Sequence, residues 1–210
     1  MNQAVRFTFP EKLTPVEEII PSAIRENIDA LLSPPIRNVG VKGMVKWSKE
    51  LGRYPKLIPD NRELAHALVM HYVYIETGGS GGAIFRDIYK DFLAEAGDVM
   101  NHDGMIRASE EFEAIVETWH EIANGLLPDD YPALRQLRKI QWTINEDLET
   151  KGLEALKKAK KRAAEVPELL EDAAKSEIQD FLEFIPAVQK LLIEVSDMET
   201  NTLTALGSTI

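Results

Sequence analysis

The segment from Met105 to Leu126 most constrains the fold of this chain, because its apolar residues recur at alternating intervals of three and four. The residues of this stripe are Met105, Ala108, Phe112, Ile115, Trp119, Ile122 and Leu126. An α-helix has about 3.6 residues per turn, so this spacing places every one of them on one face. A helix with such a face needs an apolar surface to pack against. The pattern therefore predicts a helix that packs against other helices.

Helical spacing also characterises the chain before this segment, where proline and glycine mark the boundaries. A first helix is expected to end near Leu32, before Ser33-Pro34-Pro35, because the residue before a proline disfavours helical backbone. A second helix is predicted between Gly40 and Gly52. Asp60 is a suitable N-terminal cap for the third. The fourth is expected to follow the glycine cluster and end near Gly97.

Beyond Asp129 the composition shifts to Glu, Lys, Ala and Leu, and two further apolar stripes appear. The first contains Leu134, Leu137, Ile144 and Leu148; the second contains Ala174, Ile178, Phe181, Ile185, Val188, Leu192 and Val195. Gly152 disturbs the phase of the first stripe, which resumes with an offset, and the second stripe begins beyond Pro167. Two long stripes separated by a break are typical of an antiparallel helical hairpin. We expect a kink or a restart of the helix at Pro186, which lacks a backbone N–H, and a frayed tail from about Thr200.

These patterns predict an all-α fold, a helical bundle followed by a long antiparallel helical hairpin. The expected organisation is a helical domain over residues 1–127 and the hairpin over residues 128–210, packed on the first part. Two helical faces of this size predict binding of a protein partner, or assembly into a homo-oligomer.

The charge and the composition exclude several classes of function. With 24 Lys and Arg against 35 Asp and Glu, the net charge of −11 disfavours nucleic acid and anionic membranes as partners. There is no cysteine, which removes disulfides, thiolate metal sites and cysteine nucleophiles. No apolar run approaches the roughly 20 residues that cross a bilayer. The amino terminus lacks the pattern of a signal peptide, so we expect a cytoplasmic protein.

The glycine cluster from Gly78 to Gly82 supplies the candidate ligand-binding residues Gly79, Ser80, Gly81, Gly82 and Arg86. Glycines before a helix can present backbone N–H groups to an anion. However, the cluster lacks the last glycine of G-x-G-x-x-G and the Lys-Ser/Thr pair of a P-loop. A helix–helix turn that needs glycine for steric reasons is the favoured interpretation, with Arg86 paired to a carboxylate.

A di-iron site is the alternative metal hypothesis. Glu63 and His66, and likewise Glu117 and His120, form two Glu-x-x-His pairs on separate predicted helices, as in ferritin-like bundles. Both glutamates, however, fall away from the apolar stripes of their helices and are expected to face solvent. We therefore predict no metal, no cofactor and no catalytic residue.

Two segments of the chain, Leu31–Gly43 and Gly79–Arg86, resemble a known family. Together with Tyr89, Phe92-Leu93 and Trp119, they are similar to the C-terminal helical domain of butirosin biosynthesis protein H-like proteins. The resemblance covers roughly residues 23–127. It implies a context in which a cysteine-dependent N-terminal domain transfers an acyl group from an acyl-carrier-protein thioester to an aminoglycoside amine. The helical domain has no assigned role there.

The absence of cysteine excludes cysteine-dependent acyl transfer by this chain alone. We expect the chain to correspond to the helical domain without the cysteine-bearing one. The resemblance thus implies a non-catalytic accessory or interaction domain. The alternative is a helical enzyme, either of the di-iron type or with a small-ligand pocket near the glycine cluster.

Overall fold

The computed structural model describes residues 6, 8, 12–78 and 81–210, and all regular structure among them is helical. The α-helices are α1 (Val16–Leu32), α2 (Gly40–Leu51), α3 (Tyr54–Leu57), α4 (Asn61–Glu76), α5 (Ala83–Met100), α6 (Asp103–Leu126), α7 (Pro132–Lys151), α8 (Leu156–Ala163), α9 (Val166–Asp172) and α10 (Phe181–Gly207). The predicted all-α class is confirmed. None of the helices in these ranges combines the length and apolarity needed to cross a membrane.

Helix α6 forms the centre of the fold and packs against α4, α5 and α10. All seven apolar residues of its stripe are buried. Asp60 caps the neighbouring α4 as the sequence predicts, since its Oδ1 accepts a hydrogen bond from the Glu63 N–H at 2.8 Å. The periodic pattern therefore identified both the central helix and the face on which its neighbours pack.

The two C-terminal stripes pack on different partners, which differs from the expected long hairpin. Helix α7 packs against the short α8 and α9, whereas α10 packs against α6 and α2. Helices α8 and α9 cover α7 and bury Ala159 and Leu170. A π-helical turn (Ala173–Glu177) and a 3-10 turn (Ile178–Asp180) then lead into α10. The stripe of α10 thereby reaches the core of the bundle.

The carboxyl-terminal end of α10 is ordered, contrary to the expected frayed tail. The helix continues to Gly207, and Thr202, Leu203 and Leu206 are buried. Arg25 on α1 donates a hydrogen bond to the backbone carbonyl of Ile210. The helix does not restart at Pro186, which lies inside α10, and an irregular turn precedes Phe181. Burial of apolar side chains outweighs the helix-weakening composition of this segment.

Candidate functional site

A buried ion pair joins the first turn of α5 to the last third of α10. Nε of Arg86 lies 2.7 Å from Oε1 of Glu199, and one of its terminal nitrogens lies 3.1 Å from Oε2. The side chain of Glu199 is 0% exposed and that of Arg86 is 11% exposed. Two parallel hydrogen bonds of this kind fix both the distance and the orientation of the pair. The pair contributes no net charge to its surroundings.

Trp119 on α6 completes this cluster. Its indole N–H donates to Oε1 of Glu199 at 3.0 Å, and the Arg86 guanidinium carbon lies 4.7 Å above the centre of its rings. The remaining terminal nitrogen of Arg86 donates to the backbone carbonyl of Gly81. The guanidinium is therefore occupied by protein acceptors, as the favoured interpretation of Arg86 expects, and it fixes three helices around one point.

The glycine cluster has a steric role where the structure describes it. A Cβ atom on Gly82 would lie 2.2 Å from the Cα of Ile75, so only glycine fits against the end of α4. A Cβ on Gly81, by contrast, meets nothing within 4 Å. The other two candidates, Gly79 and Ser80, lie outside the described residues.

The segment between α1 and α2 also depends on glycine. Gly40 has φ +62°, a left-handed conformation that side chains disfavour, and a Cβ there would lie 2.1 Å from the Leu31 carbonyl oxygen. A Cβ on Gly43 would lie 2.8 Å from the backbone of Asn38. These glycines hold the connecting segment tightly against α1 and α2.

A cavity of about 560 Å³, here called the Trp47 cavity, opens between these parts of the fold. Its lining residues are Leu31, Asn38, Val39, Gly40, Gly43, Met44, Trp47, His71, Tyr74, Ile75, Gly81, Arg86 and Trp119. Both segments that carry the family resemblance border it. Most of the wall is apolar or aromatic, and its volume lies in the range of small-molecule sites.

His71 lies in the wall of the Trp47 cavity within an aromatic cluster. Its ring stacks on Trp47 with ring centres 5.1 Å apart, and its Nε2 lies 3.0 Å from the Tyr54 hydroxyl. The hydroxyl accepts from the Trp47 indole N–H at 3.1 Å, and Nδ1 of His71 donates to the Ala67 carbonyl. Nε2 is therefore the acceptor of the neutral ring. Burial lowers the pKa of His71, which keeps the ring neutral.

A second cavity of about 410 Å³, the Tyr89 cavity, is also lined by Arg86. It shares Leu31 and Arg86 with the Trp47 cavity, and four of its other lining residues are apolar: Phe85, Ile88, Phe92 and Phe112. The Tyr89 hydroxyl and Oδ1 of Asn27, also in its lining, have no hydrogen-bond partner among the described residues. Buried polar atoms normally have a partner, so an occupant with polar groups would be stabilised here.

The four residues of the di-iron hypothesis do not converge. Glu63, His66 and Glu117 are exposed. His120 instead contacts Glu76, with Nδ1 2.9 Å from both carboxylate oxygens. Across residues 12–78 and 81–210, no group of three or more His, Asp or Glu side chains is arranged to hold a metal ion.

Two buried carboxylates that organise these sites, Glu199 and Glu76, were not among the candidates predicted from the sequence. Glu199 continues the apolar stripe of α10, four residues after Val195, and Glu76 follows the buried Ile75. A glutamate in register with an apolar stripe requires a partner when it is buried. The position of each glutamate on an apolar stripe was therefore the sequence feature that could have identified it as a buried, paired carboxylate.

Comparison with known proteins places the chain in one family. No curated protein and no solved structure matches it. Residues 2–146 match a family model described as a domain of unknown function, DUF4872. Because this match spans more than half of the 210 residues, the chain belongs to the DUF4872 family.

Proposed function

We propose that this protein is a non-catalytic helical domain that binds an uncharged, largely apolar small molecule in the Trp47 cavity. The observation that carries the proposal is the convergence of two separate segments, Leu31–Gly43 and Gly81–Arg86, on that cavity. Both segments contain glycines at which an added Cβ atom would clash with the neighbouring backbone. The proposal includes kinship with the C-terminal helical domain of butirosin biosynthesis protein H-like proteins, which those two segments resemble.

The electrostatics of the wall support an uncharged ligand. The charge of Arg86 is neutralised by Glu199, and its donors are used by Glu199 and Gly81. His71 is neutral because burial lowers its pKa. A free anion would find no unpaired cation among these side chains. The aromatic faces of Trp47 and Tyr74 favour an apolar or aromatic group by contact area.

A titration with the neutral dye Nile red, followed by its fluorescence, tests this function. Wild-type protein should bind one dye molecule per chain. Val39→Phe enlarges a side chain in the cavity wall and should weaken binding by about tenfold, because part of the apolar space is lost. Val99→Phe is the matched control, since both valines are 47% exposed and Val99 lines neither the Trp47 cavity nor the Tyr89 cavity.

Equal dye affinity in the Val39→Phe variant and the wild type would contradict the proposal, as would an absence of dye binding. Native mass spectrometry of the purified protein adds a second measurement. A retained neutral molecule that is lost in Val39→Phe but kept in Val99→Phe would identify the ligand directly.

Association through a helical face is a second candidate function, with a second copy of the chain or with a separate protein. The observation that favours it is a pair of exposed apolar side chains on α5, Phe85 and Ile88, at 50% and 57% exposure and three residues apart. Light scattering after size exclusion would measure the subunit number. An oligomer that dissociates in Phe85→Ser/Ile88→Ser would support this function.

A further inference from the structure

A third cavity of about 480 Å³, the His120 cavity, lies between α4, α6 and α7. It is separate from the Trp47 cavity and shares none of its lining residues. Its lining residues are Tyr72, Glu76, His120, Asn124, Asp129, Arg135, Arg138, Lys139 and Trp142. The wall is rich in charged groups, in contrast to the neutral wall of the Trp47 cavity.

His120 is held in position by Glu76. The Glu76 side chain is 5% exposed, and that of His120 is 39% exposed. Hydrogen bonding through Nδ1 leaves Nε2 with no hydrogen-bond partner among the described residues. The same hydrogen bond raises the pKa of His120, and the charges of Glu117 and Asp87 act in the same direction. A buried carboxylate therefore orients the ring and favours its protonated form, in which Nε2 has an N–H available to an acceptor.

Two cations from α7 border the same cavity. Arg135 and Lys139 lie four residues apart, on one face of the helix, and both are exposed. Neither forms an ion pair with any residue in the described ranges. These side chains thus have donors to offer to a ligand.

Arg138 already has hydrogen-bond partners within the protein. It donates to the carboxylate of Asp129 and to the backbone carbonyl of Leu127 at the end of α6. With His120 protonated, the cavity presents four cations, Arg135, Arg138, Lys139 and His120, against two carboxylates, Glu76 and Asp129. In a chain with a net charge of −11, the lining residues alone carry an excess of positive charge, with the carboxylates of Glu117 and Asp87 lying outside the lining.

An aromatic side chain lies at the edge of the same cavity. Trp142 is 47% exposed and follows Lys139 by three residues on α7. An exposed indole beside a cluster of cations offers a stacking surface for a planar ring whose substituent reaches those cations.

We propose that the His120 cavity binds a small molecule that joins a phosphate monoester to an aromatic ring. Arg135, Lys139 and Nε2 of His120 contact the phosphate, and Trp142 contacts the ring. A phosphate monoester carries nearly two negative charges at neutral pH and has three acceptor oxygens, which matches three separate donors better than a single carboxylate does. This site is independent of the Trp47 cavity and of its proposed ligand.

Isothermal titration calorimetry at low ionic strength tests the proposal with phenyl phosphate, inorganic phosphate and phenol as probes. We expect phenyl phosphate to bind more tightly than inorganic phosphate, and phenol not to bind measurably. Lys139→Gln should weaken phenyl phosphate binding by about fivefold to tenfold, since one charged contact is lost. Trp142→Ala should reduce the affinity for phenyl phosphate to that for inorganic phosphate and leave the latter unchanged.

Lys161→Gln is the matched control, because it removes one positive charge from an exposed helical position on α8 that does not line this cavity. It should leave the affinity within about twofold of the wild type, since Lys161 does not line the cavity and the attraction between charges falls with distance. Circular dichroism would check that each variant is folded. No measurable binding of phenyl phosphate, equal binding of phenol, or equal losses in Lys139→Gln and Lys161→Gln would each overturn the proposal.

Discussion

Arg86 and Glu199 lie 113 residues apart in the sequence and form a bidentate ion pair in which the carboxylate is completely buried. The pair joins α5 to α10, and the Trp119 indole N–H donates to the same carboxylate. A buried charge without its partner is costly, so the two side chains act as one unit. The wall of the Trp47 cavity depends on this unit, because Arg86 and Trp119 both line it.

Removing the cation alone should therefore destabilise the protein strongly. Arg86→Met leaves Glu199 buried and unpaired, and the free energy of unfolding should fall by about 3–5 kcal/mol. In the double variant Arg86→Met/Glu199→Gln, the neutral amide still accepts from Trp119, so part of this loss should be recovered. Urea unfolding of the two single variants and the double variant measures the coupling. Additive losses would argue against the pair as an energetic unit.

The adjacent glycines Gly81 and Gly82 should respond differently to the same substitution. In Gly82→Ala the new methyl group meets the backbone of Ile75 at 2.2 Å, and the free energy of unfolding should fall by about 3 kcal/mol or more. In Gly81→Ala the methyl group enters open space, and the change should stay within about 1 kcal/mol. Thermal unfolding of both variants measures the contrast. Similar losses of stability in the two variants would show that the close contact between Gly82 and α4 does not determine the effect of the added methyl group.

Asp147 on α7 should protect the protein against acid. Hydrogen bonds from Lys151 and Arg162 lower the pKa of Asp147 from its ordinary value of 3.8 to about 2. Since the folded-state pKa is the lower one, the stabilisation is present above pH 3.8 and is lost as the pH falls towards 2. The melting temperature of Asp147→Asn should therefore depend less on pH in this interval than that of the wild type.

Glu146→Gln controls for the loss of one negative charge at the neighbouring position, which is exposed. Its melting temperature should follow the wild-type dependence on pH. The same flattening in both variants would assign the effect to overall charge rather than to the Asp147 contacts.

The pair formed by Glu76 and His120 should be visible in the titration of the histidine. The hydrogen bond that His120 donates to the Glu76 carboxylate is the main reason that the pKa of His120 is raised above 6.5, so Glu76→Gln should lower this pKa. Because the folded-state pKa is the raised one, the pair stabilises the protein fully below pH 6.5 and loses this effect as the pH rises from 6.5 through the raised folded-state pKa.

Nuclear magnetic resonance of the histidine side chains would measure the shift. The signal of His66, which is exposed and does not line the His120 cavity, serves as an internal control and should not change in Glu76→Gln. A His120 titration that is identical in the wild type and the variant would show that Glu76 does not govern its protonation.

The sequence predicted the helices well where apolar spacing is long and regular. The stripe of α6 is buried throughout, and six residues of the second C-terminal stripe, from Ile178 to Val195, are buried. It did not predict that α10 packs on α6 and α2. An apolar face indicates that burial will occur, but several faces of similar width compete for each partner.

The candidate site was predicted only in part. Gly81, Gly82 and Arg86 were selected from the sequence; Gly81 and Arg86 line the Trp47 cavity and Gly82 packs against Ile75, but the partner of Arg86 was not identified. His120 was associated with Glu117 on the same helix, whereas it contacts Glu76 on α4. A short spacing identifies which residues share a helix face, and says nothing about the residues that another helix brings to it.

The sequence by itself determined the helical class, the buried faces and the absence of thiol chemistry, because these follow from local spacing and residue type. The tertiary structure alone decided which charges are paired and where cavities open. Arg86 with Glu199, and His120 with Glu76, are joined across 113 and 44 residues. Their pairing results from the packing of helices around α6, and the free energy of burying a charge makes each partner necessary to the other.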